Sequence, residues 1–171
     1  MYLISYGTRP ELIKLFPLIN IFKENNIDHK TIFTGQHEDL IKEFENLTHR
    51  PDFVLEKTMK HKQSINSLIY KIINESQKII NSYDCKVIIQ GDAASSFAVA
   101  LSAFNEGKEV IHVEAGLRTH NLRSPFPEEG FRKMISHISN IHFCPTIKSV
   151  ENLKNEGITE NVHLVGNTIV D

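Results

Sequence analysis

The stretch KVIIQGDAASSFAVALSAFNEGKEVIHVEAG, residues 86–116, contains the pattern that decides the fold. Its first run, Lys86 to Ile89, has the length of a buried strand and ends at Gln90-Gly91-Asp92. Residues 93–105 are typical of a helix, and the run from Glu109 to Val113 predicts a second strand. A strand, a helix and a strand in this order predict two parallel strands joined by a crossover helix.

The same alternation continues on both sides of this stretch. Further strands are predicted at 2–6, 30–34, 51–55, 141–144 and 163–165. Further helices are predicted from Pro10 onward, at 40–47, at 63–83, from Pro127 to about Ser139, and at 146–156. Pro17 predicts a kink in the first helix, or a separate first turn. We therefore expect one Rossmann-like α/β domain over residues 1–171, with a parallel sheet and helices on both faces.

Composition excludes several classes of function. The 171 residues are 40% apolar and 23% charged, with a formal net charge of -2, so no basic stripe for nucleic acid is expected. No apolar run reaches the length of a membrane span, and the first residues are too short and too soon interrupted for a signal peptide. These features predict a cytoplasmic protein that binds neither nucleic acid nor membrane.

Cysteine and histidine spacing gives no sign of a metal site. Cys85 and Cys144 each adjoin an apolar stretch and are expected to be buried, reduced thiols. The nine histidines have no metal-binding spacing. We predict neither a metal nor another cofactor.

Candidate site residues follow the predicted strands, because ligands of open parallel sheets bind beyond the carboxyl ends of the strands. The loop Gly7-Thr8-Arg9-Pro10-Glu11 has two interpretations. Its helix amino terminus offers N–H groups to a phosphate, which Arg9 could also bind. It is equally typical of a plain strand-to-helix turn with Pro in the first helical turn.

Carboxylates follow two neighbouring strands and begin a helix. Asp92 is either a helix N-cap or a functional acid. Glu114 ends a strand expected to be buried, where a carboxylate needs a partner or a function. Glu128 and Glu129 follow Pro127, so first-turn helix charges are their simplest explanation. The loop before them contains Arg118 and Arg123, which would suit an anionic substrate.

These stretches together resemble the non-hydrolysing UDP-N-acetylglucosamine 2-epimerases. The resemblance extends from residue 2 to residue 171 and rests most on HVEAGLRT at 112–119 and SPFPEE at 124–129. Its other motifs are Gly7-Thr8-Arg9-Pro10-Glu11 with Lys14, Thr34-Gly35-Gln36-His37, Gln90-Gly91-Asp92 and Gly166-Asn167-Thr168.

The resemblance implies one half of a GT-B-type two-domain fold, with the active site between the domains. It implies interconversion of UDP-GlcNAc and UDP-ManNAc, catalytic carboxylates at Asp92, Glu114 and Glu128, and substrate binding by Arg9, Lys14 and Arg118. It further implies a homodimer and a role in cell-surface polysaccharide synthesis. Two alternatives stay open: an epimerase of a related UDP-linked amino sugar, and a catalytically silent sugar-nucleotide-binding module.

Several residues depart from the family pattern. Ala93-Ala94-Ser95-Ser96 stands where members commonly have threonines. Gln36 and His37 match a loop at which a second UDP-GlcNAc activates many members, but Asp39 and Lys62 stand where glutamine and arginine are expected. Lysine lacks the planar fork of arginine, which weakens the case for such activation. Family members continue past the last residue of this chain into a uridine-binding half, so we expect a fragment that is inactive alone.

Overall fold

Seven parallel strands form one sheet in the computed structural model, which describes residues 1–35, 50–55 and 63–168. The strands are β1 (Tyr2–Tyr6), β2 (His29–Phe33), β3 (Phe53–Val54), β4 (Lys86–Gln90), β5 (Val110–Val113), β6 (Ile141–Cys144) and β7 (Val162–Leu164). The described helices are α1 (Arg9–Glu24), α2 (Ile65–Asn81), α3 (Ala94–Asn105), α4 (Glu128–Ile138) and α5 (Ile147–Asn155).

The predicted strands, and the predicted helices within these ranges, are confirmed to within a few residues. Helix α1 begins after the N-cap Thr8 and continues through Pro17 to Glu24, so the expectation of a separate first turn is wrong. The helix predicted at 40–47 lies outside the described residues, as do Gln36 and His37.

Helices cover both faces of the sheet, as the apolar strands predicted. On one face, strand residues such as Val87 and Ile89 pack with apolar side chains of α2, α3 and α4. On the other face, Ile88 and Ile111 pack with α1. Cys85 and Cys144 are free and buried.

The strands lie in the order β3-β2-β1-β4-β5-β6-β7, and the side of the sheet to which the chain adds strands changes between β1 and β4. From β1 the chain builds outward through β2 and β3, and it then returns to place β4 on the other side of β1. Loops that follow the two central strands therefore diverge at the carboxyl edge, and open α/β sheets bind ligands in the crevice between such loops. None of the helices described is long and apolar enough to cross a membrane.

Candidate active site

The predicted acidic residues lie at the carboxyl edge of the sheet, next to this crevice. Gln90 and Val113 are paired across β4 and β5, so Asp92 and Glu114 follow adjacent strand ends. Glu128 is the first residue of α4. It lies one turn before Arg132, whose side chain contacts Asp92. The three carboxylates thus come from segments far apart in sequence and lie at one edge of the sheet.

Glu114 is held between two polar side chains. Lys14 Nζ lies 2.6 Å from Glu114 Oε1, and Gln90 Nε2 donates to Glu114 Oε2 over 2.6 Å. The Glu114 side chain is 15% exposed, so it reaches the crevice while most of its surface is covered. Its backbone φ is +66°, in the left-handed region that costs a residue with a Cβ about 1–2 kcal/mol. Strain of this kind is concentrated at functional sites.

Asp92 pairs with an arginine from another element. Arg132 Nε donates to Asp92 Oδ2 over 2.7 Å, and the Asp92 side chain is 29% exposed. The N-cap of α3 is Ala93, and no side chain caps this helix. The N-cap explanation of Asp92 is therefore wrong, and the carboxylate is directed instead toward α4.

The two glutamates at the start of α4 have different surroundings. Glu129 has a fully buried side chain, and it accepts hydrogen bonds from the backbone N–H groups of Thr119 and His120, each at 3.0 Å. Burial raises the pKa of Glu129, but these hydrogen bonds and Arg132 outweigh it and leave the pKa below its usual value. Glu128 is partly exposed and has no ion pair within the described ranges.

The N–H groups of the first loop already bond to a carboxyl group of the same chain. Glu11 Oε2 accepts the backbone N–H of Gly7 at 2.5 Å and that of Thr8 at 3.3 Å. Glu11 is only 4% exposed, and Thr8 in return caps α1. Because these N–H groups are occupied, the structure supports the strand-to-helix turn. A phosphate would have to meet side chains here, and Arg9 is exposed at this turn.

Burial raises the pKa of Glu11 from 4.5 to about 7, against the opposing effect of the hydrogen bonds from Gly7, Thr8 and Ser96. Ser96 Oγ lies 3.3 Å from Glu11 Oε1 and 2.7 Å from the carbonyl oxygen of Gln90. A protonated Glu11 can therefore donate to Ser96 Oγ while Ser96 donates to Gln90.

Glu11→Gln should make the protein less sensitive to alkaline conditions. The folded protein retains the Glu11 proton up to about pH 7, whereas the unfolded chain releases it near 4.5. This contribution to stability is complete below pH 4.5 and is lost as pH rises through 7. At about 1.4 kcal/mol per pKa unit, the difference amounts to about 3 kcal/mol. Glutamine has the hydrogen-bonding pattern of the protonated acid and does not titrate.

Urea unfolding of both proteins between about pH 5 and pH 8 measures this effect. The free energy of unfolding of the wild type should fall relative to that of Glu11→Gln as pH rises. Other titrating groups are common to both proteins and cancel in the comparison. Parallel pH profiles would show that Glu11 is ionised throughout.

Arg118, predicted to bind substrate, is placed elsewhere by the structure. Its side chain is 0% exposed and forms an ion pair with Glu156, with Nη2 2.7 Å from Oε2. Its remaining donors bond to Ser136 Oγ and to the carbonyl oxygen of Leu117. Arg118 lowers the pKa of Glu156 to about 2, with help from Lys133. Arg118 was expected to bind substrate, whereas in this structure its guanidinium joins the loop after β5 to α4 and α5.

Sequence reasoning missed several residues that shape the crevice. Gln90 and Arg132 each contact a predicted acid, and Glu129 fixes the loop. His112 donates from Nε2 to the carbonyl oxygen of Gly91 over 2.8 Å, and burial lowers its pKa to about 3. The Glu129-x-x-Arg132 spacing could have predicted the contact between these two side chains, because residues three apart on a helix are neighbours on its surface.

Comparisons with known proteins show the family to which the chain belongs. Residues 20–171 match the family model described as UDP-N-acetylglucosamine 2-epimerase. The chain is 38% identical to the UDP-N-acetylglucosamine 2-epimerase of Campylobacter jejuni, over 99% of this chain and 45% of that protein. It is 39% identical to that of Salmonella borreze, over 99% of this chain and 46% of the relative. The chain thus spans about half the length of these curated relatives.

Two solved structures have the same fold. The UDP-GlcNAc 2-epimerase of Neisseria meningitidis, bound to UDP-GlcNAc, superposes with a TM-score of 0.91 at 37% identity, over 99% of this chain and 47% of that one. The Methanocaldococcus jannaschii enzyme, in complex with UDP-GlcNAc and UDP, gives 0.90 at 37% identity, over 99% and 48%. These matches confirm the Rossmann-like fold and agree with one half of a GT-B-type structure. The chain belongs to the UDP-N-acetylglucosamine 2-epimerase family.

Proposed function

We propose that this chain supplies the acid/base half of a UDP-N-acetylglucosamine 2-epimerase active site, and that a second domain supplies the uridine-binding residues. The full enzyme interconverts UDP-GlcNAc and UDP-ManNAc. The observation that carries the proposal is Glu114, which reaches the crevice on a strained backbone between Lys14 and Gln90. Relatives bound to UDP-GlcNAc at 37% identity support the substrate.

The chemistry requires acid/base groups and cations but no cofactor. The C2 hydrogen of the sugar is weakly acidic, so its removal is coupled to the departure of UDP from C1. A base takes the C2 proton, the C1–O bond to UDP breaks, and a C1–C2 double bond forms. Protonation of C2 from the opposite face and return of a UDP oxygen to C1 complete the epimerisation. The C2 hydrogen exchanges with solvent, and every other atom of the substrate is retained.

The crevice offers groups for each of these steps. We assign the proton transfers to Asp92, Glu114 and Glu128, since carboxylates from different strand ends can approach a sugar ring from more than one side. Arg9 and Lys14 are assigned to the departing diphosphate, because cations placed where charge develops stabilise the transition state. Lys14 also contacts Glu114, which supports a role for Lys14 in both the proton transfer and the departure of the leaving group.

The assembly and location of the protein are part of the same proposal. Its resemblance to the family supports a homodimer and a cytoplasmic enzyme that supplies an activated sugar for polysaccharide synthesis. Gln36 and His37 lie outside the described residues, and we keep them as a proposed site for a second UDP-GlcNAc.

Deuterium exchange at C2 tests the proposed reaction directly. The protein with both halves of the active site is incubated with UDP-GlcNAc in deuterated water, and the sugars are followed by proton NMR. We expect UDP-ManNAc to appear with deuterium at C2, and deuterium also to enter the UDP-GlcNAc pool. Unlabelled starting material would exclude the proposed function, and free ManNAc would indicate a hydrolysing enzyme instead.

A further inference from the structure

Arg132 joins two parts of the crevice that no backbone hydrogen-bond ladder connects. Its Nε donates to Asp92 Oδ2 over 2.7 Å, and its Nη1 donates to Glu129 Oε2 over 3.2 Å. The side chain is 17% exposed, so most of it is covered by protein. One guanidinium therefore fixes the acid at the end of β4 relative to the first turn of α4.

Glu129 extends this connection to the loop after β5. Its two carboxylate oxygens accept the N–H groups of Thr119 and His120, and one of them also accepts Arg132. A buried carboxylate with three donors is a fixed structural anion, and losing one donor leaves charge without compensation. His120 has a φ of +60°, so this loop adopts a conformation that needs such external support.

We propose that Arg132 is a positioning residue for Asp92, and that Glu129 and Glu128 have separate functions. Glu129 holds Arg132 and the loop, whereas Glu128 is left to face the substrate. This inference rests on the proposed function, because it assigns Asp92 and Glu128 to the proton transfers. Its structural part, the fixation of Thr119 and His120, does not depend on the reaction.

The geometry requires an arginine. Two N–H groups on different nitrogens reach two carboxylates, and the planar guanidinium sets the angle between them. A lysine at 132 keeps the charge but places it on one rotating ammonium. Displacement of a catalytic group by about 1 Å can lower a rate about 10²-fold.

The adjacent residue provides a matched control. Lys133 is also a cation on α4, but it pairs with Glu156 over 2.7 Å, away from Asp92. Lys133→Ala removes one positive charge from the same helix without touching Arg132, and Glu156 retains its ion pair with Arg118. Any effect of charge alone, or of a shortened side chain on α4, should appear in both variants.

The test compares Arg132→Ala, Arg132→Lys and Lys133→Ala in the protein with both halves of the active site. We expect Arg132→Ala to lower kcat about 10²-fold with a smaller change in KM, and Arg132→Lys to fall between it and the wild type. Guanidinium chloride should restore part of the activity of Arg132→Ala, whereas sodium chloride at equal ionic strength should not. Lys133→Ala should stay close to the wild type.

Amide hydrogen exchange provides a readout independent of the reaction. Exchange at Thr119 and His120 should become faster in Arg132→Ala and in Glu129→Gln but not in Lys133→Ala. Equal kcat values for Arg132→Ala and Lys133→Ala, or no rescue by guanidinium, would overturn the positioning of Asp92. If the wild type does not act on UDP-GlcNAc, the proposed function fails, and unchanged exchange in Arg132→Ala and Glu129→Gln would overturn the structural part.

Discussion

In the protein with both halves of the active site, Glu114→Gln is expected to lower the rate of the proposed epimerisation by about 10²- to 10⁴-fold, the usual contribution of a general acid or base. Glutamine has nearly the shape of glutamate, and one of its amide atoms can still contact Gln90. It cannot take or return a proton at C2, and it removes the charge that Lys14 faces at 2.6 Å. The loss should be seen both in kcat and in deuterium incorporation at C2.

A matched control is available on the same strand. Glu109 immediately precedes β5 at the amino edge of the sheet, where its exposed carboxylate pairs with Lys86 over 2.6 Å. Glu109→Gln makes the same chemical change at the opposite end of the strand and should leave kcat within about twofold, since exposed ion pairs contribute little. Equal activities for the two variants would show that Glu114 takes no part in the reaction.

Gly116→Ala is expected to destabilise the fold by about 3 kcal/mol or more. The φ of Gly116 is +83°, and an added Cβ would overlap the carbonyl oxygen of Ser149 and lie 2.8 Å from its carbon. These are backbone atoms of α5, so no rotamer change can relieve the contact. Asn152 also donates from Nδ2 to the carbonyl oxygen of Gly116 over 3.0 Å. The close approach therefore fixes the loop after β5 against α5.

Gly130→Ala is the corresponding control, because Gly130 lies inside α4 and, apart from its own helix, nothing lies within 4 Å of the position that a Cβ would take. Alanine in a helix should stabilise the protein there by up to about 1 kcal/mol. Urea unfolding of both variants measures the contrast, and similar free energies of unfolding would show that α5 yields to the added methyl group.

The sequence predicted those structural features that depend on residues close together in the chain. Apolar runs that end at Gly7 or Gly91 predicted buried strands, and the structure confirms them as β1 and β4. Such local patterns do not show which side chains from distant parts of the sequence form ion pairs. Arg118 belongs to a conspicuous motif, yet its partner Glu156 is 38 positions away, and nothing local reveals that pair.

Glu11 shows a different limit of sequence reasoning. The Thr8-x-x-Glu11 spacing is that of a capping box, and the structure contains one. The spacing did not reveal that the same carboxylate also occupies the N–H of Gly7. Which acceptor fills a set of N–H groups depends on the turn geometry, and that geometry appears only once β1, α1 and α3 are packed together.

The left-handed backbone at Glu114 costs the protein stability, whereas the proposed chemistry needs a carboxylate at this position. Glycine there would relax the main chain and remove the acid in a single substitution, so a change that stabilises the protein would abolish the proposed activity. Under the proposed function, the need for its carboxylate accounts for a glutamate in this conformation. Stability of the fold alone would favour glycine at this position.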